Sequence, residues 1–283
     1  MHIQTGTETD QAVVARPTVD DRQVVDIVLA SDAHGAFVWG VFDRLLDEPS
    51  LFIGNITASG FGAMEAAVLA YGLALGGRRG ARTALANFWR RVSHASMFTV
   101  NAASPLRSIL EQSIDIAVIR NKSRPLQLSI LASNARTDAV KIFAGDQLSI
   151  DAILAAATIP FLFPAVEIDG ETYWGDGDLS ASPALPSDAG HRLVVTGKPA
   201  LFMTPCADRR PAATPCAMKC APTQAIFDSQ HRAGAALFTR PWTDWGELTD
   251  MRDRGRERAG DWLFAEHSIA DECSAVDRKN RYV

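Results

Sequence analysis

Four groups of residues have the types and spacing to do chemistry. The first is Ser59, inside Ala58-Ser59-Gly60-Phe61-Gly62, where an extended apolar run meets a segment dense in helix formers. A strand–turn–helix over Leu51 to Ala70 has the shape of a nucleophile elbow: the reactive residue sits at a strained tip, and small neighbours let strand and helix approach closely. The second is Ser31-Asp32-Ala33-His34-Gly35, between a strand and a helix; Asp32 is placed to cap that helix, and His34 to be hydrogen-bonded near its start. The third is Asp176-Gly177-Asp178, an acidic turn just after a hairpin signal. Asp169, Asp176 and Asp178 lack the spacing of a calcium cage. The fourth is thiol-bearing: Cys206, Cys216, Cys220 and Cys273. With no CxxC pair these read as free thiols in a reducing compartment, and no metal or cofactor is expected.

These groups need elements to hold them. Val24 to Ala30 is a β-branched apolar run suited to a strand buried on both faces of a parallel sheet. Residues 33–46 carry Phe37, Val38, Val41, Phe42, Leu45 and Leu46 at helical spacing, and Pro49 stops the pattern. Leu51 to Thr57 is the second strand, followed by a helix that Gly76-Gly77 ends and another over residues 81–92. Strands follow at Leu126 to Ala132, Val140 to Phe143 and Leu193 to Thr196, with a turn at Asn134 to Asp138. Residues 150–158 form an Ala-rich helix, and Asp169-Gly170 turns a hairpin. This order predicts an α/β fold with a mostly parallel central sheet, with strand 24–30 parallel to strand 51–57 across a helical crossover.

The 283 residues carry 28 basic and 33 acidic side chains, a net charge of −5, which excludes nucleic-acid binding by bulk charge. At 47% hydrophobic the chain is no disordered protein. The apolar stretch Ala66 to Leu75 is shorter than the roughly 20 residues a bilayer requires. Residues 1–23 read as a polar lead-in without a secretory pattern, and a cytoplasmic location follows. Residues 24–283 read as a single domain in which 187–241 is loop-rich and 242–283 is helical. The alternating run Arg252, Arg254, Arg256 and Arg258, mixed with Asp253 and Glu257, reads as a solvated helix face; peripheral membrane contact is the other option. Trp39 and Trp89 read as core.

Taken jointly, several segments resemble the patatin-like phospholipase family, particularly its bacterial branch. They are Ala33 to Val41 with Asp43-Arg44-Leu45-Leu46, Gly62-Ala63-Met64, Phe88-Trp89-Arg90-Arg91-Val92-Ser93, Ile159 to Phe163, Val166 to Gly170, Tyr173-Trp174 and Pro183-Ala184-Leu185. The tail, Thr243-Asp244-Trp245 to Trp262-Leu263 and Ser274 to Asp277, is also similar. The resemblance implies a three-layer α/β sandwich and a Ser–Asp dyad that hydrolyses lipid acyl esters, with a glycine loop stabilising the oxyanion. Aligned on Gly62, it puts Gly60 at the nucleophile position and leaves Ser59 one residue early, with Asp176 at the base position. Ala30-Ser31-Asp32, ahead of Gly35, stands where three glycines are expected, and Gly175 shifts Asp176 by one residue. Two outcomes follow: a lipid acyl hydrolase of weak or absent activity, or a non-catalytic relative that binds a lipid, an acyl ligand or a partner protein.

Overall fold

The computed structural model describes residues 23–29, 35–95, 105–121, 126–160, 163–175, 191–196, 223–227 and 244–280, with side chains as far as 265 in the last helix. Its elements run β1 (Gln23–Leu29), α1 (Gly35–Leu45), β2 (Leu51–Ala58), α2 (Gly62–His94), α3 (Pro105–Glu111), α4 (Ile116–Ile119), β3 (Gln127–Asn134) and β4 (Val140–Ala144). Then come α5 (Ile150–Ala157), β5 (Val166–Ile168), β6 (Glu171–Trp174), β7 (His191–Thr196), β8 (Thr223–Phe227) and α6 (Trp245–Asn280). The eight strands form one sheet in the order β5-β6-β3-β2-β1-β7-β8, with β4 paired to β3. The pairs β3–β2, β2–β1, β1–β7 and β7–β8 are parallel, and β4, β5 and β6 add antiparallel pairings at one side. The mixed α/β architecture with β1 parallel to β2 is the one read from the sequence.

A bulge matters for the centre of the sheet. The register runs Val25↔Ile53 and then Ile27↔Ile56, so β2 carries one extra residue. The bulge turns Ile56 and Ala58 to the same face as Val25, Ile27 and Leu29, and all five are buried. The Asn55 backbone N–H that the bulge leaves unpaired donates to Asp26 Oδ1 at 3.0 Å, and Asn55 Nδ2 donates to the same oxygen at 2.8 Å. One apolar cluster joins this face to α1, α2, α5 and α6. Leu131 and Val194 are buried outside that cluster.

The helical layer departs from the sequence reading at the arginine run of the C-terminal helix. Gly76 (φ −148°, ψ 23°) and Gly77 (φ 59°, ψ −149°) break the helix as the sequence implies, into two limbs, 62–75 and 78–94, folded against each other. The limbs touch where a Cβ on Gly72 would lie 2.5 Å from the Ala81 Cα. The C-terminal segment is one helix of 36 residues. Its arginine run is only partly a solvated face: Arg258 is exposed, while Arg252, Arg254 and Arg256 are half-buried. Gly255 sits against the Phe37 backbone and Gly40 against the Arg252 carbonyl, so α6 crosses α1 with no room for a β-carbon on either glycine. That crossing carries Arg256 to Asp43 and Asp47 (2.8 Å), and the same carboxylates hold Arg82 from α2 (3.2 Å to Asp43). Arg252 lies over the Trp39 ring at 5.0 Å. Burial pushes the Asp47 carboxyl up, but its bonds to Arg256 and Arg82 hold it below the usual carboxylate range.

Strand β8 lies inside the stretch read as loop-rich. Five residues that pair only by tertiary contact leave too little periodicity to be seen in isolation. The short helices α3 and α4 are too brief for their spacing to stand out.

Candidate functional site

The β2–α2 turn is the best-defined part of the site. Ser59 N donates to Leu29 O at 3.3 Å, which ties the end of β2 to the end of β1. Gly60 then takes φ +60°, the left-handed region that glycine enters without a Cβ penalty. Ala63 N and Met64 N donate back to Gly60 O and Phe61 O at 3.1 and 3.0 Å, closing the first turn of α2. Gly62 is needed for packing: a Cβ there would lie 3.1 Å from the Leu29 Cβ. The turn therefore has an elbow's backbone, with Gly60 at the left-handed position.

Ser59 is placed differently. It is 1% exposed, and its Oγ has no hydrogen-bond partner among the described residues. An activated serine needs a base to take its proton and a path for the substrate carbonyl. The geometry gives this hydroxyl neither among the described residues.

One turn into α2 lies Glu65, a group the sequence did not single out. It is fully buried, and Trp89 Nε1 donates to its Oε1 at 3.1 Å while Oε2 has no partner. Burial pushes its carboxyl well above the usual range, against the opposing pull of the Trp89 bond and a backbone bond from Trp39. Trp39 stacks on Trp89 with centroids 6.4 Å apart, and Phe61 from the elbow packs on Trp89 at 5.6 Å. Both tryptophans are core residues, as expected from the sequence. The signal for Glu65 was its position: an acid amid Ala63, Met64, Ala66 and Ala67 on a helix buried all round.

The approach to the acidic turn is fixed by α5. Ser149 caps α5, its Oγ accepting from Ala152 N at 3.0 Å. The helix ends at Thr158, whose carbonyl accepts from Gly175 N at 2.8 Å. A Cβ on Gly175 would meet that carbonyl at 2.8 Å and the Ala156 carbonyl closer still, so the extra glycine is a packing requirement. The hairpin before it turns through Asp169 (φ 54°) and Gly170 (φ 79°), the two-residue left-handed turn its Asp-Gly pair favours. Ile159 and Phe163, 39% and 42% exposed, place apolar surface on the loop beside Gly175.

Gly35 opens α1 at φ +37° and is buried. Ala30, Ser31, Asp32, His34, Asp176 and Asp178 lie outside the described residues, as do Cys206, Cys216 and Cys220 and the side chain of Cys273. The expected cap from Asp32 falls among them. Among the described residues no group of three His, Cys, Asp or Glu could hold a metal ion, and no helix is long and apolar enough to cross a membrane.

The family model described as patatin-like phospholipase matches residues 33–186, just over half of the chain, and spans the turn, α5 and the hairpin together. The chain belongs to the patatin-like phospholipase family. No curated protein matches it. Among solved structures it is similar to VipD from Legionella pneumophila, at 13% identity and TM-score 0.35 over 62% of this chain and 50% of that one. It is also similar to the type III effector protein ExoU, at 13% identity and TM-score 0.41 over 85% and 52%. The chain spans about half the length of these two structures.

Proposed function

We propose that this patatin-like protein binds a lipid acyl group and hydrolyses it weakly or not at all. The observation that carries this reading is the β2–α2 turn. The left-handed position belongs to Gly60, which has no hydroxyl, while the neighbouring serine is 1% exposed. A covalent acyl-enzyme needs an oxygen nucleophile at that tip and N–H donors aimed at the developing oxyanion. Ala30-Ser31-Asp32 replaces the glycines that would supply such donors, and a carboxylate at Asp32 opposes negative charge there. Asp176 is the base position in this reading, one residue displaced by Gly175. The exposed Ile159 and Phe163 support an apolar ligand at the same end of the sheet. Residues 24–283 act as one domain in this account, a reading supported by β8 on the sheet and α6 on α1. The setting is cytoplasmic, with contact at a membrane surface.

The test has two arms. Fluorophosphonate labelling and fluorogenic acyl-ester hydrolysis should be near background in the unmodified protein and in Gly60→Ser, because the Asp32 loop is still in place. A fluorescent long-chain fatty acid should nevertheless bind saturably. Stoichiometric labelling lost in Ser59→Ala would overturn the silent-site reading, and absence of fatty-acid binding would overturn the ligand.

A further inference from the structure

The second limb of α2 carries five arginines, and three are committed. Arg78 donates to the carbonyls of Leu46, Glu48, Pro49 and Leu51. Arg82 is held by Asp43 and Asp47. Arg90 donates to Asn87 Oδ1 at 3.5 Å and lies over the Trp245 ring at 5.9 Å. Arg79 and Arg91 have neither a carboxylate partner nor an acceptor for their guanidinium groups among the described residues, and both line one cleft of about 550 Å³. The cleft opens along the seam of the helical hairpin, where Gly72, Gly76 and Gly80 contribute no side chains.

The lining is one-sided in charge. With the two arginines it contains Tyr71, Thr83, Asn87 and Gln112, and no aspartate or glutamate among the described residues. In a chain with a net charge of −5, two uncommitted cations in a cleft free of carboxylates form a local reversal of sign. Arg79, Thr83, Asn87 and Arg91 follow each other at four-residue intervals, so they form a stripe about 18 Å long between the outer Cα atoms. One small anion cannot span that length. Leu75, 62% exposed, stands at the margin of the cleft.

We propose that this cleft binds phosphate groups spaced along a stripe, with Arg79 and Arg91 each taking one. Planar guanidinium forks match phosphate oxygens in pairs. The stripe is long enough to meet the phosphates of more than one headgroup in an anionic bilayer, whose apolar margin Leu75 can enter, or of one long soluble polyphosphorylated molecule. The site is separate from the β2–α2 turn, so it stands whether or not the protein hydrolyses lipid.

The test measures binding of the full chain to vesicles of phosphatidylcholine with and without phosphatidic acid, and to inorganic polyphosphate chains long enough to span the stripe. The variants are Arg79→Gln/Arg91→Gln and a control of equal charge change, Arg136→Gln/Arg258→Gln. Removing two surface arginines should weaken binding about 25-fold, roughly fivefold for each, and flatten its salt dependence, whereas the control should change it little. Arg79→Gln alone, at an exposed position, repeats the test with about a fivefold loss should the double variant fold poorly. Loss confined to phosphatidic-acid vesicles identifies the bilayer as the source, and loss of polyphosphate binding identifies a soluble one. Absence of binding in both arms, or equal loss in the control, overturns the proposal.

Discussion

The turn after β2 and the crossing of α1 with α6 are both built on glycines that admit a close approach, yet they treat their polar groups in opposite ways. At the crossing, Asp43 and Asp47 each meet two arginines, so every carboxylate has a partner. At the turn, Ser59 Oγ and Glu65 Oε2 are buried with no partner among the described residues. An unmade hydrogen bond in the interior costs about 1–3 kcal/mol, so the end of the sheet that carries the site is maintained at the expense of stability, while the helical layer adds to it. Strain and unsatisfied groups concentrate where chemistry or binding occurs, in line with the site proposed at this turn.

The largest effect expected from this comparison is at the crossing. Gly255→Val forces a side chain into the Phe37 backbone, where one rigid helix meets another and neither can yield. The variant should lose about 3 kcal/mol or more, read as a lower denaturant midpoint. A loss below about 1 kcal/mol would mean that α6 does not press on α1 as described.

Glu65 comes next, and its effect depends on pH. Its carboxyl is raised in the folded state, so folding takes up a proton between the unfolded value, near 4.5, and the raised folded one. The stabilising difference is full below the unfolded value and is lost as pH rises through that window, at up to about 1.4 kcal/mol per pH unit. Glu65→Gln keeps the acceptor for Trp89 Nε1 and cannot ionise. Denaturation of the two proteins from pH 4 to 9 should therefore show the wild type falling relative to the variant as pH rises. Parallel curves would mean that Glu65 is not protonated in the fold.

The smallest effect separates the two regions directly. Asp43→Ala leaves Arg82 and Arg256 short of a partner and should cost about 1–2 kcal/mol, less at high salt because both arginines are about a third exposed. Ser59→Ala removes a buried hydroxyl that has no partner among the described residues and should raise stability by about 1 kcal/mol. Thermal melts of the pair check the contrast. Equal losses would mean that Ser59 Oγ has a partner in solution.

Much of the fold was legible in the residues because it rests on local signals. The strands β1 and β2, the helix between them, the break at Gly76-Gly77 and the Asp169-Gly170 turn all follow from periodicity and from the dihedrals that single residue types permit. The elbow sequence likewise announced its own turn, since only a glycine at position 60 enters φ +60° at no cost. Tertiary structure decided what no window of sequence contains. It placed Arg252 and Arg256 on α1, where the charge pattern alone read as a solvated face, because Gly40 and Gly255 admit a close crossing 215 residues apart in sequence. It buried Ser59 by tying its backbone to Leu29, a choice of side that depends on the neighbouring strand. It also gave Gly175 its reason, the α5 carbonyls beneath it, and set Glu65 against Trp89. Periodicity records which face of an element is apolar; burial, partners and charge state depend on what that face meets.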